Sequence, residues 1–99
     1  MKVMERRTQT LEKGAWDVFW AKEQKWTALE NRLGGFPPKR HTRPLARFDT
    51  IIVWERDWES LAAMEAAYER EGADPETQEV NKLPSGVAGA HFELFMIVS

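Results

Sequence analysis

The sequence predicts one α+β domain whose strands and helices follow the order βαββαβ, and three observations carry that expectation. Short runs rich in β-branched and aromatic residues alternate with two longer stretches whose apolar residues recur every three or four positions. Gly14, Gly34-Gly35 and Gly72 stand at the joints between those runs. A chain of 99 residues holds a single domain, residues 1–99, with a core that is small for its surface.

Residues 2–11, KVMERRTQTL, read as a first strand. Val3, Glu5, Arg7, Gln9 and Leu11 share one face; Met4, Arg6, Thr8 and Thr10 share the other. Over residues 15–33, Trp16, Phe19, Trp20, Trp26, Leu29 and Leu33 recur at helical spacing, and Gly34-Gly35 ends that helix. Pro37-Pro38 and Pro44 leave room only for a short edge strand over 39–43. Residues 48–57 read as the next strand. A helix over 58–71 follows, with a stripe of Trp58, Leu61, Met64 and Tyr68. Pro75 opens a short helical turn. Residues 90–99, AHFELFMIVS, close the chain as a strand with Phe92, Leu94, Met96 and Val98 on one face and His91, Glu93, Phe95 and Ile97 on the other.

This order is the ferredoxin-like plan, an antiparallel sheet with two helices on one face. The other face needs a cover of its own. With Ile51 and Val53 turned toward the helices, Ile52, Trp54 and Arg56 reach that second face, where a stacked second chain would remove them from water. At about 25 cal/mol per Å² of apolar surface, a buried indole contributes several kcal/mol. A homodimer is the simplest account of the pattern.

Composition narrows the function. Without cysteine there is no disulfide, thiol nucleophile or thiolate metal site, which fits a reducing compartment. The first residues, MKVMERRTQTLEKG, lack the apolar core of a signal peptide, and no apolar run approaches membrane-spanning length. The expectation is a cytoplasmic protein without a membrane partner. The net charge of −2 conceals +5 over residues 1–49 and −7 over residues 50–99, so the two halves are expected to lie side by side in the fold or across a dimer. Nucleic acid is not an expected partner: the paired aromatics of an RNA-binding sheet are missing, and Glu55 and Glu93 repel phosphate.

Three local patterns resemble the NIPSNAP-like branch of the dimeric α+β barrel superfamily. TLEKG, Thr10 to Gly14, resembles its strand-to-helix entry. TIIVWERDWESL, residues 50–61, is similar to its apolar strand bearing a tryptophan, a basic residue and a Ser-Leu helix start. ADPETQE, residues 73–79, is similar to its Asp-Pro segment after the second helix. The resemblance implies a homodimer whose sheets form a barrel, with a cavity between each sheet and its helices or near the barrel ends. Related families include haem-degrading and quinone-forming monooxygenases, polyketide cyclases and chlorite dismutase-like haem proteins. The haem-degrading branch is expected to carry an asparagine early in the first strand and a histidine on the second helix, and this chain has neither.

The residues suited to chemistry are few. His41, among Lys39, Arg40 and Arg43, and His91, on one strand face with Glu93, are the candidate acid–base groups, each also readable as a solvated margin residue. Arg7 and Arg56 are suited to hold a carboxylate or phenolate while stacking on Trp54, or else to pair with Glu5, Glu55 or Glu93. Tyr68 and Trp20 join Trp54 as candidate ligand contacts, although helical spacing also fits both as core. Two histidines without ligand spacing predict no metal site. No cofactor is predicted, and one axial histidine to a haem stays compatible with the count. The leading reading is a small apolar or aromatic molecule held in a tryptophan-lined cavity of a homodimer. The alternatives are a cofactor-independent monooxygenase or cyclase with a histidine base, and a structural module without ligand.

Overall fold

Alternation over the first residues produces a strand, and everything else is arranged against it. The computed structural model describes residues 1–46 and 50–98. Along them run β1 (Val3–Leu11), α1 (Trp16–Leu33), β2 (Arg40–Thr42), β3 (Ile51–Trp58), α2 (Leu61–Ala73), α3 (Pro75–Asn81) and β4 (Val87–Met96). The strands form one antiparallel sheet in the order β2-β3-β1-β4. This is a ferredoxin-like α+β fold with a third, short helix added. Among the described residues no helix is long and apolar enough to cross a membrane.

Cross-strand register fixes which side chains meet. Arg7 lies opposite Trp54 on one side and Phe92 on the other, while Glu5 lies opposite Arg56 and Leu94. Directly opposed residues share a face, so Glu5, Arg7, Gln9, Ile52, Trp54 and Arg56 all turn to the helices. The expected phase of β3 is therefore reversed: Ile52, Trp54, Arg56 and Trp58 are buried, and Ile51 and Val53 stand half-buried on the uncovered face. The reason is that two indoles and an isoleucine offer more apolar area than Ile51 and Val53, and the helices supply partners for Arg56. Residues 48 and 49 of the expected strand, and Ser99 of the last one, lie outside the described residues.

Two apolar clusters hold the helices on. Val3, Trp58, Met64 and Ala67 pack at one end of β1, with Phe36 and Tyr68 against them. Leu11, Ala15, Phe19 and Ile52 pack at the other end, with Trp16, Trp20 and Val87. The stretch of β1 between them carries Glu5, Arg7 and Gln9, so the middle of the interior is polar.

Helix boundaries follow local chemistry. Trp58 belongs to the strand, not to the helix, because Ser60 is the N-cap: its Oγ accepts from the Ala63 amide at 3.0 Å. The buried stripe of α2 is accordingly Met64, Ala67 and Glu71, leaving Leu61 at the surface. Asp74 caps α3 through the Glu76 amide at 2.9 Å, with Pro75 at the first helical position. β4 begins earlier than its apolar residues indicate. Gly86 leads into it at φ 68°, and a Cβ there would stand 2.6 Å from the Ala15 Cβ.

The opposite charges of the two halves do meet within the chain. Arg6 pairs with Glu55 at 2.7 Å, and Arg32 with Asp74 and Glu76 at 2.9 and 3.0 Å. β4, by contrast, is an edge strand with little cover: Phe92, Leu94, Phe95 and Met96 are 47%, 42%, 37% and 62% exposed.

Candidate ligand cavity

Between the two apolar clusters the sheet and helices part around a cavity of about 310 Å³. Alternation puts Arg7 and Gln9 of β1 and Trp54 and Arg56 of β3 on its floor. Helical spacing brings Phe19, Glu23, Trp26 and Glu30 of α1, at steps of four, three and four, onto its roof. Tyr68 and Glu71 close the side from α2.

Arg56 is the hub of the buried polar groups. Its Nε donates to Glu5 at 3.1 Å, its terminal nitrogens to Glu30 at 2.8 Å and to the Tyr68 oxygen at 2.6 Å. Tyr68 in turn donates to Glu5 at 2.5 Å, as does the Trp58 indole N–H at 2.9 Å. The guanidinium also lies 5.1 Å from the rings of Phe36, Trp54 and Trp58. Burial works against its charge, but the Glu30 hydrogen bond and the surrounding negative charge raise its pKa further. Burial holds the Tyr68 phenol well above its usual range against the opposing charge of Arg56. Arg56 is thus committed to the protein, which leaves Arg7 as the arginine available to a ligand.

Arg7 sits between rings, 5.1 Å from Trp54 and 5.4 Å from Phe92. Among the described residues no carboxylate pairs with it. Gln9 stands two residues along the same face, and its buried Oε1 has no hydrogen-bond partner among the described residues. Glu71 is buried in the wall of the same cavity. Burial, and then the hydrogen bond with the facing Glu30 carboxyl, push the Glu71 pKa up to about 8, so this group is mainly the neutral acid at neutral pH, its proton directed to Glu30. At the opposite rim Lys39 lies 4.5 Å from the Trp54 ring and 3.3 Å from Glu23. Burial opposes the charge of Glu23, yet the His41 hydrogen bond and the Lys39 charge hold its pKa below the ordinary value.

Of the residues singled out from sequence, Arg7, Trp54, Arg56 and Tyr68 converge on this cavity, and three do not. Trp20 packs edge-on against His41 with ring centroids 4.9 Å apart, beside a separate shallow depression. His41 lies opposite Trp54 in the sheet, but its Nε2 is held by Glu23 at 2.6 Å and it does not line the cavity. His91 is on the uncovered sheet face, 72% exposed and 3.9 Å from Glu93. Neither candidate histidine base lines the cavity: His41 stands on the helix side of the sheet behind Glu23, and His91 on the uncovered face.

Gln9, Trp26, Glu30 and Glu71 line the cavity without having been singled out. Their signal was present: acids at positions 23, 30 and 71 interrupt otherwise buried helical stripes, and charge on a buried stripe requires partners.

No family model matches the sequence, and no curated protein matches it either. The fold has clear relatives among solved structures. A NIPSNAP-like domain protein of uncharacterised function from Burkholderia xenovorans superposes with a TM-score of 0.79 at 17% identity, covering 99% of this chain and 86% of that one. A NIPSNAP family protein of unknown function from Agrobacterium tumefaciens gives 0.76 at 19%, covering 95% and 86%. SnoaB, a cofactor-independent oxygenase from Streptomyces nogalater, gives 0.74 at 17%, covering 99% and 94%. The chain has the fold of NIPSNAP family proteins and of SnoaB.

Proposed function

We propose that this chain is a NIPSNAP-like binding protein that holds a small aromatic molecule bearing an acidic group in the cavity between sheet and helices, and that it works as a homodimer. The observation that carries the binding reading is Arg7. A guanidinium set between the rings of Trp54 and Phe92, lining the cavity and without a carboxylate partner among the described residues, is suited to receive an oxyanion attached to a ring. A ligand of that kind replaces the missing counter-charge and stacks on the indoles that line the space.

The dimer reading is supported by β4. A ten-residue edge strand with exposed apolar side chains on both faces is an association surface unless something covers it. The Cα radius of gyration of 14.0 Å also exceeds the ~13 Å typical of a 100-residue domain, as befits a flat protomer that completes its core against a second copy.

Native mass spectrometry of freshly purified protein, followed by denaturation of the same sample, tests both parts. The expected result is a dimer mass, a retained or added aromatic acid at one per chain, and loss of that acid from Arg7→Met. A monomer at micromolar concentration overturns the assembly. Equal retention by the parent protein and Arg7→Met overturns the site.

A further inference from the structure

We infer that the cavity takes an aromatic diacid, with Arg7 holding one acidic group and Lys22, helped by the Ser85 hydroxyl, holding the second at the end nearest the turn between α3 and β4. The inference rests on the binding reading above and adds a second anchor to it. It starts from how the charges around the cavity are paired. Of the four cations that line it among the described residues, Lys39 lies 3.3 Å from Glu23 and Arg56 lies 2.8 Å from Glu30. Arg7 and Lys22 line the same space, and no described carboxylate pairs with either.

Lys22 is held only by main-chain oxygens. Its Nζ donates to the Leu83 carbonyl at 2.9 Å and to the Asn81 carbonyl at 3.3 Å. An ammonium has three N–H groups, so one is left, and carbonyl dipoles do not neutralise its charge. Ser85 lines the cavity two residues beyond Leu83, and its Oγ accepts from the Val87 amide at 3.1 Å. Its own proton goes to no described residue. Glu23, next to Lys22 on α1, is already held by Lys39 and His41. An oxyanion arriving here would receive the remaining ammonium N–H and the Ser85 O–H together, and would supply the missing countercharge.

The sheet sets the distance between the two anchors. Val87 pairs with Leu11, four residues along β1 from Arg7, which is about 13 Å of strand at ~3.3 Å per residue. Long side chains reach inward from both ends, so diacids one ring and two fused rings in length bracket the span that is left.

Isothermal titration calorimetry at pH 7 tests this with two pairs of probes, benzoate against terephthalate and 2-naphthoate against naphthalene-2,6-dicarboxylate. In the parent protein at least one diacid is expected to bind about fivefold tighter than its monoacid, or more, beyond the statistical advantage of two equivalent ends. Lys22→Gln removes the charge and keeps an N–H for the carbonyls; it should bind the monoacids as before and lose the preference. Lys25→Gln removes a lysine of the same helix that does not line the cavity, and it should keep the preference.

Equal affinity within both pairs in the parent protein overturns the inference without any variant. So does a preference that persists in Lys22→Gln, or one that falls as far in Lys25→Gln, since the general field of the chain would then be its source. Each of these results leaves the binding reading standing if Arg7→Met abolishes binding of the monoacids. Binding of none of the four probes by the parent protein overturns the binding reading, and the inference with it.

Discussion

Two Arg–Glu clusters stand back to back in the middle of the sheet, one residue apart in both strands. Glu5 pairs with Arg56 on the helix side, and Arg6 pairs with Glu55 on the uncovered side. The chemistry is the same, but Arg56 and Glu5 are 1% and 0% exposed at the side chain, against 37% and 15% for Arg6 and Glu55. Around the interior pair Glu30, Tyr68 and Trp58 complete the hydrogen bonds. Around the exterior pair Arg40 joins, binding the second oxygen of Glu55. The comparison teaches that burial and completed hydrogen bonding, not pairing as such, decide what an ion pair does. The inner cluster is sealed beside the cavity, while the outer one stays partly exposed on the uncovered sheet face.

The largest expected effect breaks the inner cluster. Arg56→Met leaves Glu5 and Glu30 buried without their cation and should cost about 3–5 kcal/mol in urea unfolding. A loss below about 1 kcal/mol would put Arg56 on the same footing as Arg6. Trp58→Phe tests the completion of hydrogen bonds separately. It removes the indole donor to Glu5 while Arg56 and Tyr68 keep theirs, and a loss of about 1–2 kcal/mol is expected. The smallest expected effect lies outside: Arg6→Met should cost about 1 kcal/mol or less, shrinking further with salt.

The two environments also predict opposite pH dependence of stability. The hydrogen bond from Arg6, then that from Arg40, holds the Glu55 pKa below its ordinary 4.5. Its contribution is therefore present above that value and lost as pH falls through the lower folded value. Glu71 is raised from 4.5 to about 8. Between those values the folded chain keeps a proton that the unfolded chain has released, so stability falls as pH rises. Urea midpoints across pH should show Glu55→Gln flattening the loss below pH 4.5 and Glu71→Gln flattening the loss between pH 4.5 and about 8. The same flattening from both variants would erase the distinction.

The same comparison explains what the sequence could reveal. Period and turn residues were enough to order the elements, because Gly34, Ser60 and Pro75 act locally. The phase of β3 was not readable. Val53 and Trp54 are both apolar, and Glu55-Arg56 offers an acid and a base to either face, so only the pairing of Glu5 with Arg56 across strands settles which side is in. The candidate site was half legible for a related reason. Arg7, Trp54, Arg56 and Tyr68 stand out as residue types, whereas Gln9, Glu30 and Glu71 acquire meaning only where helices and sheet enclose them. His41 and His91 drew notice for their acid–base chemistry; the strand phase carries His91 to the uncovered face, and Glu23 holds His41 just outside the cavity.

The central claim is that the interior side of the sheet, not the uncovered one, receives the ligand. Titrating isotopically labelled protein with 1-hydroxy-2-naphthoate while following amide, indole and Gln side-chain NMR signals tests this most directly. The account predicts saturable shifts at the indoles of Trp26 and Trp54 and at the Gln9 side chain, with the Thr8 and His91 amides moving little. Shifts concentrated at Thr8, His91 and Glu93, with Trp26 and Gln9 unmoved, would contradict it.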